Sequence, residues 1–175
     1  MGNEVIKAMI NRRSVRKYKP DMVPKEVINE IIEAGLYAAS GRNFQAVITV
    51  AVTDKKLRDK LMEMNRKIGG WDEDFDPFYG APVVLIVLAD KSVPTYVYDG
   101  SLVMGNLMLA ADSLGIGSCW IHRAKEEFES EEGKEILKSL GIEGDFEGIG
   151  HCVIGYADEK KKNIPRKENR VFYVE

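Results

Sequence analysis

The chain has 175 residues, enough for one domain with a sizeable core that needs no disulfide or metal staples. A composition that is 45% hydrophobic and 30% charged excludes both a disordered chain and a membrane-spanning one. With 25 basic against 28 acidic side chains the net charge is -3, whereas a general polyanion binder is usually basic. The charge is also uneven: basic residues crowd Arg12 to Lys19 and Lys160 to Lys167, while the middle and Glu126 to Glu135 are acidic. Two separate basic patches on an acidic chain suit a small anionic ligand better than a long polymer, so no nucleic acid is expected as a partner.

Val5, Ile6, Met9 and Ile10 recur at helical spacing, which predicts a short amphipathic helix over 3–12 running into the first basic cluster. Pro20 closes that segment. Pro24 suits the first turn of a second helix, whose Val27, Ile28, Ile31 and Ile32 form the buried stripe and which should end near Ala39. A polar turn from Ser40 to Gln45 then leads into Val47 to Val52, whose β-branched content predicts a strand. Residues 54–67 read as a helix, and Gly69 to Gly80, rich in Asp, Gly and aromatics, as a surface loop.

Val83 to Ala89 is continuously apolar, which fits a strand covered on both faces and is much too short to span a bilayer; no membrane is expected as a partner. Tyr96 to Leu114 carries apolar or small residues around most of its circumference, which predicts a helix buried on nearly all sides. Gly115 ends it. Gly117 to His122 reads as a third strand, Glu126 to Leu140 as a charged surface helix, and Gly148 to Tyr156 as a fourth strand. The tail from Ala157 carries Lys160, Lys161, Lys162, Arg166 and Lys167 before the apolar Val171 to Val174, which needs a sheet edge that a second subunit can supply. Helices and strands mixed without strict alternation predict an α+β layer architecture.

Cys119 and Cys152 lie far apart in apolar surroundings, with no metal-ligand spacing to His122 or His151, so both read as reduced core residues and no metal is expected. The chain begins without a signal-like apolar run, and Gly2 is followed at position 6 by Ile6 rather than Ser or Thr, so a cytoplasmic location is expected by default.

Three guanidiniums, Arg12, Arg13 and Arg16, fall within five positions with Ser14 between them. Arg forks match phosphate oxygens and Ser adds a donor, so the segment can clamp a phosphate; a solvated basic face is the competing reading. Ser40, Asn43 and Gln45 offer donors and acceptors together, as a uracil-like ring edge requires, or simply fill a turn for backbone reasons. Gly115-Ile116-Gly117 lacks the third glycine of a dinucleotide fingerprint, position 120 being Trp, and there is no Walker sequence, no Gly-x-Ser-x-Gly and no metal-binding His pair. His151 lies in an apolar strand and reads as a satisfied core residue.

Taken in order, these pieces resemble the nitroreductase family over nearly the whole chain: Arg12 to Arg16, Ala39 to Gln45, Tyr79-Gly80-Ala81-Pro82, Asp99 with Asn106 to Ala111, Leu114 to Ile121, and Ile154-Gly155-Tyr156 before a basic tail. The resemblance implies a single FMN-binding domain over 1–175, with a mainly antiparallel sheet of about four strands flanked by helices and residues 157–175 embracing a second copy. It implies an oxidoreductase that moves two electrons from NADH or NADPH through flavin N5 to a nitroaromatic, quinone or similar small-molecule acceptor by a ping-pong mechanism, with no catalytic side chain obligatory. Arg12, Arg13, Ser14 and Arg16 match the segment that holds the FMN phosphate and ribityl chain and reaches the pyrimidine edge. Ser40, Asn43 and Gln45 match the turn that contacts flavin across the homodimer interface. Ile121, His122 and Arg123 match the strand end beside the isoalloxazine, Arg166 and Lys167 the tail positions that help neutralise phosphate, and Asn65 joins the same site.

Two departures stand out. Ala46 follows Gln45 where the family often has Pro, and the chain lacks the long helical excursion of larger members, which leaves Gly69 to Gly80 as the expected lid, its Trp71, Phe75, Phe78 and Tyr79 serving as gate or as loop packing. Two other functions remain open on the residues: a specialised flavoprotein of the same fold, for reductive dehalogenation or flavin processing, and a non-enzymatic module whose Arg12 to Lys19 segment contacts nucleic acid.

Overall fold

The computed structural model describes residues 3–160, 162 and 164–175; Gly2 and Lys161 of the basic tail lie outside them. The longest apolar stretch sets the architecture. Val83–Asp90 forms β2, every side chain of which is buried from Val83 to Ala89, because protein covers both of its faces. It pairs antiparallel with β1 (Val47–Val52) on one side and with β4 (Phe146–Gly155) on the other, and β3 (Gly117–Ile121) pairs antiparallel with β4. The sheet order is therefore β1-β2-β4-β3, the antiparallel α+β arrangement expected.

Alternation along β2 divides the core in two. Val84, Ile86 and Leu88 pack with Leu61 and Met64 of α3 (Lys55–Gly69), with Phe78, and with Phe128, Ile136 and Leu137. Leu85 and Val87 face the other way, onto Ile28 and Ile31 of α2 (Lys25–Leu36) and Val103, Met104 and Leu107 of α4 (Tyr96–Ser113). The sheet is thus a middle layer. Asp54 caps α3 by accepting from the Leu57 N–H at 2.8 Å, and Gly70 closes it at φ 66, a left-handed conformation that glycine adopts without strain.

Several elements differ from their sequence readings. α2 ends at Leu36, short of Ala39, and Pro24 is its N-cap residue rather than part of its first turn. Helix α1 (Glu4–Asn11) buries no residue: its apolar stripe of Val5, Ile6, Met9 and Ile10 is open in the single chain. Nor is α4 buried all round, since Asp99, Val103, Met104, Leu107 and Ala111 face the core while Tyr98 and Leu102 on its other side are exposed.

The single helix expected over Glu126 to Leu140 is two, α5 (Ala124–Glu129) and α6 (Glu131–Ser139). Ser130 breaks it: its hydroxyl donates to the Glu127 carbonyl at 2.6 Å and accepts from the Gly133 N–H at 3.0 Å, capping α6 at the cost of continuity. α5 is also no surface helix, because Glu127 and Phe128 are buried. Among the described residues no helix is long and apolar enough to cross a membrane.

β4 bulges where the register with β2 shifts between Val87 and Leu88, and two glycines there let neighbours close in. A Cβ on Gly148 would lie 2.2 Å from the Ala124 carbonyl oxygen, which belongs to the backbone and has no way to rotate aside. Gly148→Ala is therefore expected to destabilise the fold by about 2 kcal/mol or more, lowering Tm by roughly 4 to 8 °C in a thermal melt; an unchanged Tm would mean that α5 is free to drift from the sheet.

Candidate functional site

After α1 the chain runs as an extended strap along the free edge of β3. Ser14 bridges Ser118 in parallel, and the Val15 N–H donates to the Ser118 carbonyl at 2.9 Å. Further on, the Lys19 N–H donates to Tyr156 O and the Asp158 N–H to Lys17 O, each at 2.9 Å, so the strap is sewn to the chain on both sides. Val15 and Tyr18 turn inward as anchors. The Tyr18 hydroxyl donates to the Val15 carbonyl at 2.7 Å, and burial pushes its pKa well up. Arg16 is left exposed, while half-buried Ser14 hydrogen-bonds with the Cys119 thiol.

The strap and the tail, far apart in sequence, enclose one cavity of about 420 Å³, a volume within the usual range for small-ligand sites. Arg12, Arg13, Ser14 and Arg16 line one wall and Lys160, Lys162 and Arg166 the other, with Glu159 the acidic member of the lining. The arginines are not equivalent. Arg13 Nη1 donates to the Ile10 and Arg12 carbonyls at 2.6 and 2.8 Å and its Nε to the Lys162 carbonyl at 3.2 Å, so Arg13 ties strap to tail. Arg12 Nη1 is buried with no hydrogen-bond partner among the described residues.

A buried guanidinium nitrogen without an acceptor is costly, and an anion in this cavity would relieve it. The Glu159 carboxylate already accepts the Arg16 backbone N–H at 2.5 Å, which shows that this face of the strap receives an oxyanion. Beneath it lies Cys119, whose thiol burial pushes up against the opposing pull of Arg16 and Arg12, so it stays protonated. The residues present fit a phosphate group.

From Ser118, where the strap is tied, β3 runs three residues on to Ile121, about 10 Å at the rise of a strand. Ile121 is buried and His122 exposed. Arg123 follows at φ 81, a left-handed conformation uncommon outside glycine, and its Nη1 pairs with Glu126 Oε1 at 2.9 Å. Asn65, buried on α3, donates from Nδ2 to the His122 carbonyl at 2.7 Å and to Glu127, while its Oδ1 has no partner. Asn65, Ile121, His122 and Arg123 thus form one cluster.

The polar turn stands apart from both. The Gln45 N–H donates to Ser40 Oγ at 3.2 Å and Gln45 Nε2 to Asn43 Oδ1 at 3.1 Å. Arg42, Asn43 and Gln45 all hold positive φ, of 48, 58 and 51°. Buried Asp99, in the first turn of α4, holds this geometry by accepting the Gly41 N–H at 3.0 Å and the Thr95 hydroxyl at 2.9 Å. The turn lines its own small cavity with Asp99 and Val103, so a single chain does not bring Ser40, Asn43 and Gln45 to the arginine cavity. Lys167 likewise lines a separate cleft with Arg166, Asn169 and Arg170.

A further cavity beside Pro20 and Pro82 contains Arg58, but that side chain is committed: Nε to Ala81 O at 3.1 Å, Nη2 to Asp76 at 2.5 Å and Nη1 to Asp59 at 3.2 Å. It holds the loop, with all three guanidinium nitrogens already hydrogen-bonded within the protein. Sequence reasoning missed Glu159, Asp99 and the Glu127–His151 pair as members or supports of the site. One signal was present, since Ser130 followed by Glu131 and Glu132 is an N-cap pattern that would have split the supposed surface helix.

The model of the nitroreductase family matches residues 9–156. A relative from Methanothermobacter thermautotrophicus, whose name carries both NADH dehydrogenase and NAD(P)H nitroreductase, is 32% identical over 121 residues, covering 67% of this chain and 60% of its own. The FMN reductase [NAD(P)H] of Bacillus subtilis is 28% identical over 188 residues, covering 94% of this chain and 70% of its own. A nitroreductase from Bacteroides fragilis, solved with bound FMN, superposes with a TM-score of 0.92 at 29% identity, over 99% of this chain and 100% of that one.

Arg12→Met keeps the apolar stem and removes the unpaired nitrogen. It is expected to leave the unfolding free energy unchanged or raise it by up to about 1 kcal/mol, and to abolish the thermal stabilisation that millimolar inorganic phosphate gives the wild-type chain. A variant destabilised by about 3 kcal/mol with the phosphate effect intact would make Arg12 a structural residue instead.

Proposed function

The chain belongs to the nitroreductase family, and on that premise we propose that it is an NAD(P)H-dependent oxidoreductase whose cofactor, FMN, is held between the arginine cavity and the His122–Arg123 turn. The observation that carries the reading is Arg12: a buried guanidinium nitrogen without an acceptor among the described residues, in a basic cavity tied by backbone hydrogen bonds to the strand that ends at that turn. The solved relative from Bacteroides fragilis, with its bound FMN, supports it.

Bound FMN supplies two-electron chemistry, taking a hydride at N5 and passing the electrons to an acceptor. The residues supply binding and electrostatics. Arg12, Ser14 and Arg166 would hold the phosphate, Arg13 keeps the tail in place over it, and Lys167 adds positive charge nearby. Arg16, exposed at the rim, suits the N1 and O2 side of the ring, where a guanidinium offsets the negative charge of reduction. The Ile121–Arg123 backbone would offer an N–H to N5, and buried Asn65 would hold that backbone through its bond to the His122 carbonyl.

Water exclusion falls to the segment after α3, where Trp71, Phe75 and Tyr79 form an edge-to-face ladder with centroids 5.5 and 6.0 Å apart. Phe78 is fully buried in the core and is no part of a gate. With one binding face and no separate dinucleotide domain, NADH or NADPH binds, reduces and leaves before a nitroaromatic, quinone or similar acceptor enters, which is ping-pong turnover.

The same reading makes the chain a single domain that works as a cytoplasmic homodimer, with residues 157–175 wrapped around the partner and neither nucleic acid nor membrane bound. In support, Tyr98 on α4 is 72% exposed and Phe172 in the tail 84%, surfaces that association would cover. A second copy would also bring Ser40, Asn43 and Gln45 to a flavin that one chain leaves without them.

Titration of the purified chain with FMN is expected to perturb the flavin absorption spectrum, and anaerobic NADH or NADPH to bleach it. Arg12→Ala should weaken FMN binding about tenfold to a hundredfold through loss of charge-assisted hydrogen bonds. Initial rates should run as parallel double-reciprocal lines. Intersecting lines would overturn ping-pong turnover, a stable monomer with bound FMN would overturn the shared site, and a colourless protein indifferent to FMN would overturn the assignment itself.

A further inference from the structure

Three polar side chains from separate elements meet inside the molecule: Asn65 of α3, Glu127 of α5 and His151 of β4, none with any exposed surface. Glu127 stands between the other two. Its Oε1 accepts from Asn65 Nδ2, and its Oε2 lies 2.9 Å from His151 Nε2. The second Nδ2 hydrogen of Asn65 goes to the His122 carbonyl at 2.7 Å. His151 pairs across the ladder with Ile121, and the Phe78 and Phe128 rings pack against its imidazole at 5.3 and 6.2 Å between centroids.

The hydrogen-bond inventory fixes the orientation of the Asn65 amide. Turned over, the Asn65 amide would set its oxygen against two acceptors, so both Nδ2 hydrogens are committed and Oδ1 is left unpaired. His151 sets Nε2 against the Glu127 carboxyl, while its Nδ1 is buried without a partner among the described residues. The residue next to His122 is Arg123 with its φ of 81°, and strain of that kind persists only where surrounding contacts over-determine it. The contacts here are the Asn65 amide on the His122 carbonyl and the Glu127 N–H, which donates to the Arg123 carbonyl at 3.0 Å, and the Glu127 side chain holds that amide.

We propose that the buried Glu127–His151 pair is a positioning device for the flavin site: it locks the Asn65 amide, and through it the His122 carbonyl, so that the strained His122–Arg123 backbone is presented in one geometry. The inference rests on the FMN reading above and goes beyond it, because neither residue touches the cofactor. Phe78, the aromatic that returns the loop after α3 to the core, packs on the same imidazole, so the pair also joins the loop to the turn.

Glutamine tests this without changing shape, since it accepts on one atom only: it either sets an N–H against Asn65 or sets one against His151, which can accept it only as the Nδ1–H tautomer. In the FMN-loaded chain, Glu127→Gln is expected to leave FMN affinity close to wild type, because the phosphate end is untouched. It should shift the flavin midpoint potential and slow flavin reduction by NADH about tenfold to a hundredfold at unchanged KM. In the cofactor-free chain, amide hydrogen exchange across 121–124 should accelerate about tenfold or more. Asn65→Leu, of similar volume, removes the amide alone and should accelerate the same exchange, which keeps the test open if the first variant does not fold. Folded variants with wild-type potential, reduction rate and exchange would reduce the pair to core packing and overturn the inference, whatever their loss of Tm. Failure of the FMN reading would instead show in the wild-type chain, as no binding of FMN, while the exchange measurement would still decide whether Glu127 holds the turn.

Discussion

The hydrogen bond from the Val15 N–H to the Ser118 carbonyl is the tie on which the site's geometry depends. It fastens the arginine strap to the edge of β3, and β3 then carries the chain to His122 and Arg123, so one rigid strand sets the spacing between an anion clamp and a strained backbone turn. The strap also covers an edge that would otherwise invite pairing with another chain. Its hold comes from buried Val15 and Tyr18 and from backbone pairing. The Lys17–Asp158 ion pair alongside is 2.7 Å long but exposed on both sides, and pairs of that kind contribute little.

Over much of the chain ordinary folding rules hold, with apolar alternation on β2, caps on α3 and α6 and glycine where backbones close in, although the polar turn and Tyr79 also hold positive φ. At the site it breaks them together. Arg12 Nη1 and Asn65 Oδ1 are buried without partners, Arg123 holds a left-handed conformation, and a carboxylate and an imidazole are buried beneath them. Such concentrations are stabilising to nothing in the free chain, and they are what a preformed polar binding site requires. They also explain why the supporting pair matters: a strained turn stays in one conformation only while something behind it is rigid.

The polar turn is a second prepared surface. Asp99 spends a buried carboxylate on the Gly41 N–H and the Thr95 hydroxyl, which fixes three residues at positive φ in a turn remote from the arginine cavity. Order of this kind in a turn with no target in its own chain is consistent with use across an interface. The open apolar faces of α1 and α4 and the exposed end of the tail agree with that use.

Local pattern determined much of this by itself. Residues 47–52 and 83–90 are strands because β-branched and apolar runs satisfy a pleated, covered surface, and α2, α3 and α4 follow from their runs of apolar residues, α3 with its Asp54 cap, all of it encoded within a few turns of chain. The ordered motifs were also enough to mark the family. What only the tertiary structure decided was the allegiance of each polar group. Arg12 and Arg13 are adjacent and chemically alike, yet Arg12 Nη1 is left without an acceptor among the described residues and Arg13 is spent on the backbone carbonyls of Ile10, Arg12 and, in the tail, Lys162. Glu127 looks like one more charge in an acidic run, and it is buried because His151 and Asn65, 24 and 62 residues away, turn toward it. Periodicity records which way a side chain points from its own element, whereas a buried charge is stabilised or stranded by partners that only folding brings within reach.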